Sequence, residues 1–279
     1  MEFATLSSSD GLYSLKVCPQ RGGIITSLCW RQQELLYLDE STLVDLSKNV
    51  RGGVPLLFPI CGPLRDPGYS HQGRNYAMSQ HGFARKSSFE ICALPDHLLL
   101  RLQSTPHTLD QYPFQFELSI RLDFEEERLN FRTTVVNHSE EIMPYQWGAH
   151  PYFAVGDLTK LSLEIAADSQ KDNTKPSRPK TPLDEPLPLN QLEIDREYHH
   201  KPGQTRLALL NDSSLGRQIR LGYDDSFDYV VVWSQPQKNF LCLEPWTGPR
   251  YGFQDGQLHT LAAGQSRCHN FWIDCQPLK

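Results

Sequence analysis

Arg128-Leu129-Asn130-Phe131-Arg132-Thr133-Thr134-Val135 alternates polar and apolar side chains with a period of two. Successive side chains of a strand point to opposite faces, so this pattern predicts a strand over 128–137 with one face buried and one wet. The same texture continues on both sides of it. Leu12–Val17 and Ile24–Trp30 read as strands around the turn-like Gly22-Gly23. Phe89–Ala93, Leu98–Leu102, Phe114–Phe124, Leu161–Ala166, Arg206–Leu210, Gln218–Tyr223, Tyr229–Trp233, Phe240–Leu243 and Cys268–Asp274 read the same way. Short strands at such spacing, broken by turn residues, predict an all-β sandwich or barrel. Helical periodicity is scarce; the best short candidate is Ser41–Asn49, opening on a Ser-Thr cap.

Composition narrows the function classes. The chain has 279 residues, of which 39% are hydrophobic and 22% charged, the profile of an ordinary globular protein. Its 27 basic residues against 33 acidic ones give a formal charge of −6. A mildly acidic chain lacks the positive field that draws proteins to nucleic acid or anionic membranes, so neither is expected as a partner. No apolar run reaches the ~18–20 residues that span a bilayer, and the Met1-Glu2-Phe3-Ala4-Thr5 start does not read as a secretory leader. Seven cysteines (18, 29, 61, 92, 242, 268 and 275) are scattered, without a CxxC pair. Scattered thiols fit a reducing cytoplasm and argue against a disulfide framework or zinc knuckle. Prolines at 176, 179, 182, 186 and 188 mark Gln170–Asn190 as an exposed loop inside one domain spanning 1–279, because prolines deny donors to a sheet.

Four stretches carry residue types suited to chemistry. In Arg51-Gly52-Gly53-Val54-Pro55-Leu56-Leu57-Phe58-Pro59-Ile60-Cys61-Gly62-Pro63, glycines and prolines surround an apolar knot. This predicts a stiff irregular loop, and Arg51 at its edge offers a planar fork of donors to hydroxyls or phosphate. In Gln80-His81-Gly82-Phe83-Ala84-Arg85, His and Arg flank a small turn, which suits the hydroxyl edge and CH face of a sugar; a plain surface turn competes with that reading. In Tyr145-Gln146-Trp147-Gly148-Ala149-His150-Pro151-Tyr152-Phe153, Pro151 biases His150 toward extended backbone. An imidazole among aromatics is either an acid/base near neutrality or a satisfied core histidine. In Phe240-Leu241-Cys242-Leu243-Glu244-Pro245-Trp246, a carboxylate ends a run that reads as a buried strand, with Pro245 expected to end it and open a pocket. Desolvation makes a carboxylate a stronger base, so Glu244 is the best single candidate for chemistry. A fifth stretch, Glu193-Ile194-Asp195-Arg196-Glu197-Tyr198, is dominated by charge and reads by default as a solvated face.

Together these stretches resemble the aldose 1-epimerase (mutarotase) family. The similarity runs in order through Arg51-Gly-Gly-x-Pro-x-x-Phe-Pro, His81-Gly-Phe-Ala-Arg85, His150-Pro-Tyr-Phe, Asp195-Arg-x-Tyr and Glu244-Pro-Trp. The resemblance implies a large antiparallel β-sandwich with few short helices. It implies Glu244 as the base that takes the anomeric hydroxyl proton and His150 as the acid that protonates the ring oxygen. Ring opening, rotation about C1–C2 and reclosure then interconvert the anomers. It further implies His81, Asp195, Trp246 and Phe58 as substrate-binding residues. Arg51 and Arg85 match positions that bind phosphate in the hexose-6-phosphate branch. The expected partner is a sugar or sugar phosphate, and proton transfer of this kind requires no metal or other cofactor. Three alternatives remain at this point: a non-catalytic sugar-binding module on the same scaffold; a glycoside hydrolase pairing Glu244 with Asp195; and a Cys/His hydrolase using Cys61 or Cys242.

Overall fold

A computed structural model describes residues 1–66, 68–175, 177, 179–183, 189 and 193–278. The Arg128–Asn137 stretch is a strand with Leu129, Phe131, Thr133 and Val135 buried and Arg132 exposed between them. It lies in the middle of an eight-stranded antiparallel sheet. From one edge the order is Leu161–Ile165, Leu207–Asp212, Arg217–Tyr223, Ser266–Pro277, Arg128–Asn137, Phe116–Glu125, His97–Gln103 and Glu90–Ala93. Phe131 faces Leu122 on one neighbour and Phe271 on the other, its ring stacked on Phe271 at 4.1 Å.

A second sheet runs in the order Ser169–Asp172, Ile194–His199, Tyr229–Ser234, Phe240–Trp246, Gly148–Ala149 and Leu56–Leu57, with Tyr152–Ala154 also paired to Phe240–Trp246. Its inward residues Ile194, Tyr198, Val230, Val232, Leu241 and Leu243 share one apolar cluster with Leu100, Ile120, Phe131, Ile219 and Ile273 of the first sheet. Two sheets joined through such a core form an antiparallel β-sandwich, as expected. A four-stranded meander, Ala4–Ser7, Tyr13–Cys18, Ile24–Trp30 and Gln33–Glu34, contributes Leu15, Val17 and Leu28 to the same cluster.

Several local expectations are corrected. The helix anticipated at 41–49 is a single turn, Glu40–Val44, capped by Asp39, which accepts from the Ser41 N–H. The strand carrying Glu244 does not stop at Pro245 but continues to Trp246. On one side its register passes from Cys242 opposite Tyr152 to Trp246 opposite Gly148, with no partner between, and a prolyl nitrogen is tolerated at such a break. Residues 194–198 are not a solvated face; Arg196 and Glu197 are buried inside a strand paired on both sides. The proline-rich excursion starts later than 170, because Ser169–Asp172 is an edge strand. Pro176, Pro186 and Pro188 lie outside the described residues. All seven cysteines are free thiols, and among the described residues no helix is long and apolar enough to cross a membrane.

Candidate active site

Strand parity builds the site. On Phe240–Trp246 the odd positions Leu241 and Leu243 enter the inter-sheet core, so Cys242, Glu244 and Trp246 project from the opposite face. On Tyr229–Ser234 the core takes Val230 and Val232, leaving Val231 and Trp233 outward, with Val231 directly opposite Glu244. On Ile194–His199 the core takes Ile194 and Tyr198, leaving Asp195 outward opposite Trp233. Three adjacent strands thus present Asp195, Val231, Trp233, Glu244 and Trp246 to one hollow of about 200 Å³.

The loops complete it. The Gly/Pro-rich segment 51–63 is a platform: its Pro55 carbonyl accepts from the His150 N–H (2.9 Å), and its Gly53 carbonyl from the Tyr152 N–H (2.9 Å). It holds the His81 turn from two directions. The His81 N–H donates to the Gly62 carbonyl (2.8 Å), and the Gly62 N–H donates to His81 Nδ1 (3.0 Å). The neutral ring therefore carries its proton on Nε2. His81 itself sits at φ +65°, unusual for a side-chain-bearing residue, and Gly82 follows at +69°, where a Cβ would overlap the Phe58 carbonyl oxygen.

His150 and Glu244 meet in the hollow, Nε2 to Oε1 at 3.3 Å, both buried. The imidazole stacks on Tyr152 (4.7 Å, 13°) and meets the edges of His81 and Trp233. Among the described residues Glu244 Oε2 has no hydrogen-bond partner. Burial pushes the Glu244 carboxyl well above its ordinary range; the Asp195 charge adds to this, while Arg250, Trp246 and Arg85 oppose it. Burial and the Arg85 and Arg51 charges push His150 down to about 3. Two such groups in contact titrate as one unit, and with the carboxyl pushed up and the imidazole pushed down the carboxyl is the favoured seat of a proton. His81 is held neutral by burial and by the Arg85 charge.

Three arginines surround this pair. Arg250 grips both oxygens of Asp195 (2.9 and 2.8 Å), and Asn173 donates to Asp195 as well (3.0 Å). Arg85 is tied to the Gln80 carbonyl (2.7 Å), and burial lowers it to about 10. Arg51 is exposed, with its guanidinium 5.7 Å from the Trp233 ring. Among the described residues neither Arg51 nor Arg85 forms a salt bridge with a carboxylate, so neither positive charge lining the hollow is held in an ion pair.

Of the residues singled out in the sequence, Arg51, His81, Arg85, His150, Asp195, Glu244 and Trp246 line this one hollow. Phe58 does not. Its ring is fully buried among Phe83, Tyr112, Phe116 and Tyr145, because the 51–63 loop turns it into the core. Cys61 is buried against Trp246 outside the lining. The lining also includes Asn49, Gln80, Trp233 and Arg250. Arg250 was not legible because it follows the Glu244 strand in a turn, but Gln146 ties that turn to the platform by accepting from the Cys61 N–H and donating to the Pro249 carbonyl. A larger hollow of about 870 Å³ beside Met78 and Phe83 has no carboxylate in its lining.

A family model described as Aldose 1-epimerase matches residues 5–274. The chain belongs to the aldose 1-epimerase family. This aldose 1-epimerase family member is 30% identical over 234 residues to the chromosomal protein LacX of Lactococcus lactis, a match covering 74% of this chain and 77% of that one. It is 24% identical over 239 residues to an Escherichia coli protein named as a candidate glucose-6-phosphate 1-epimerase, covering 78% and 75%. Among solved structures, Slr1438 of Synechocystis sp. PCC 6803 superposes with a TM-score of 0.92 at 30% identity, covering 99% of this chain and 96% of that one. The aldose 1-epimerase family is one of isomerase-type enzymes acting on sugars.

Proposed function

We propose that this chain interconverts the α and β anomers of a hexose 6-phosphate by acid/base ring opening and reclosure. The observation that carries the reading is the His150–Glu244 contact, 3.3 Å at the floor of a small polar hollow. A hemiacetal carries its hydroxyl and its ring oxygen on one carbon, so a base and an acid side by side serve both. The proton of the pair rests on Glu244, because burial holds the imidazole neutral. Reaction starts when it crosses the 3.3 Å contact, leaving Glu244 as the carboxylate that takes the hydroxyl proton while protonated His150 gives its proton to the ring oxygen. The C1–O5 bond breaks and a free aldehyde forms. The pair passes from carboxylate and imidazolium to carboxylic acid and imidazole, without changing its proton count. Rotation about C1–C2 turns the other face to the ring hydroxyl, and reclosure returns both protons to their starting places. Each partner contributes roughly 10²–10⁴-fold.

Neutral His81, whose Nε2 meets the Gln80 side-chain amide at 3.2 Å in the lining of the hollow, orients the ring oxygen, and Asp195 accepts from sugar hydroxyls. The hollow of about 200 Å³ lies below the ~300–1,000 Å³ of drug-sized sites and suits one sugar ring. The phosphate ester is favoured over a neutral hexose by charge: Arg250 is matched by Asp195, while Arg51 and Arg85 have no carboxylate partner among the described residues. Guanidinium forks are the donors best matched to phosphate. Anomer exchange followed by NMR with glucose, galactose and glucose 6-phosphate tests the proposal. Faster exchange confined to the phosphate ester is expected; rates equal to the uncatalysed ones for all three sugars would overturn it.

A further inference from the structure

The acid/base pair has a third buried neighbour that proton transfer does not use. Cys242 lies two residues before Glu244 on the same strand and therefore on the same face. One imidazole nitrogen of His150, the Cys242 sulfur and one Glu244 oxygen all lie within 4.8 Å of one another, and all three residues are buried. Three atoms so placed share a centre within about 2.8 Å of each. Bonds of about 2.0–2.3 Å to nitrogen, sulfur and oxygen, as in zinc sites, are reached by small side-chain rotations. Among the described residues Glu244 Oε2 lacks a hydrogen-bond partner, so the carboxylate has an oxygen to give.

We propose that His150, Cys242 and Glu244 form an inhibitory binding site for a borderline-soft divalent cation of the zinc class, entered through the sugar hollow. The donor set of one imidazole, one thiolate and one carboxylate excludes magnesium and calcium, which take oxygen ligands only. On binding, the thiol proton and the proton shared by His150 and Glu244 leave to water. The new bonds are metal–sulfur, metal–nitrogen and metal–oxygen, and nothing is oxidised or reduced. Thiolate and carboxylate together balance the two charges of the cation; Arg51 and Arg85 oppose it and keep the site weaker than a structural zinc site. A fourth position opens toward the hollow for water. Bound cation removes both proton carriers at once, so the site is either loaded or active. The inhibition rests on the epimerase reading, whereas the binding does not.

The test is a cadmium titration of the full chain, read by the ultraviolet thiolate-to-metal absorption, with anomer exchange measured in parallel with zinc. The expected result is an absorption band of one equivalent that is lost in Cys242→Ala. Zinc should inhibit the wild type, reversibly by chelator, and inhibit Cys242→Ala at least ~10-fold more weakly, the loss typical when even a supporting partner of a metal site is removed. The same band and the same inhibition in Cys242→Ala would overturn the proposal, as would exchange activity without a band in the wild type. A band without any exchange activity would support the metal site and overturn the epimerase reading alone. If Cys242→Ala fails to fold, His150→Gln serves for the absorption measurement. It retains the thiol, and an undiminished band there would equally overturn the site.

Discussion

At Glu244 the chemistry rests on one buried side chain. Its carboxyl is pushed up by burial and by Asp195, which makes it a stronger base than an exposed glutamate. Glu244→Gln keeps the shape and removes the base. The variant is expected to retain its circular dichroism and to lose at least ~10²-fold in anomer exchange; near-normal turnover would remove Glu244 from the role. Arg85 makes the complementary test. Its guanidinium is half-buried and lacks a carboxylate partner among the described residues. Arg85→Ala should raise KM for glucose 6-phosphate by more than ~10-fold, the scale of one lost charge-assisted bond, and for glucose much less. Equal increases for both sugars would show that Arg85 does not read the phosphate. These two residues were legible because a carboxylate after an apolar run, and an arginine beside a glycine turn, break the local pattern. Arg250 was not, since its meaning lies in a contact with Asp195, 55 positions away.

Strands account for what single residues do not. Alternation separates Leu241 and Leu243, which hold the sheets together, from Cys242, Glu244 and Trp246 on the opposite face, of which Glu244 and Trp246 line the hollow. The segment 194–199 misleads when read by charge alone. Burial tends to push Glu197 up, but the His199 side chain 3.0 Å away and the Arg250 backbone and guanidinium hold it below the ordinary carboxylate range. Charges inside a strand are hidden from sequence because their partners sit on neighbouring strands. Phe58 shows the reverse error. It lies within a site-forming loop, yet its ring is core. Phe58→Ala should lower unfolding free energy by about 3–5 kcal/mol in urea titration and leave KM within a few-fold. A tenfold KM change with unaltered stability would return Phe58 to the binding surface.

For the molecule as a whole, a histidine buried in neutral form lowers stability in acid. His269 is buried between Tyr145 and Ser226, 2.8 and 2.7 Å from its two nitrogens, and burial, His259 and Arg267 push it down to about 3. An unfolded histidine titrates near ~6.5. Above that pH neither state is protonated at this position. Between the two values the unfolded chain binds a proton that the folded chain refuses, so stability falls as pH falls, by up to about 1.4 kcal/mol per pH unit per such group. His269→Gln should flatten the decline between pH 6 and 4 by up to one proton, measured by urea unfolding across that range. An unchanged slope would mean that the folded protein protonates His269 as readily as the unfolded chain does.

The order of strands along the chain, their alternation and the five short segments of unusual chemistry were written in the sequence, because period-two hydrophobicity and glycine–proline punctuation are local properties. Which strands become neighbours, and therefore that Asp195, Trp233 and Glu244 share one face while Phe58 turns away, was decided only by the tertiary structure. Register and loop–loop hydrogen bonds such as Gly62 to His81 join residues distant in sequence, and their energies depend on the whole sheet being in place.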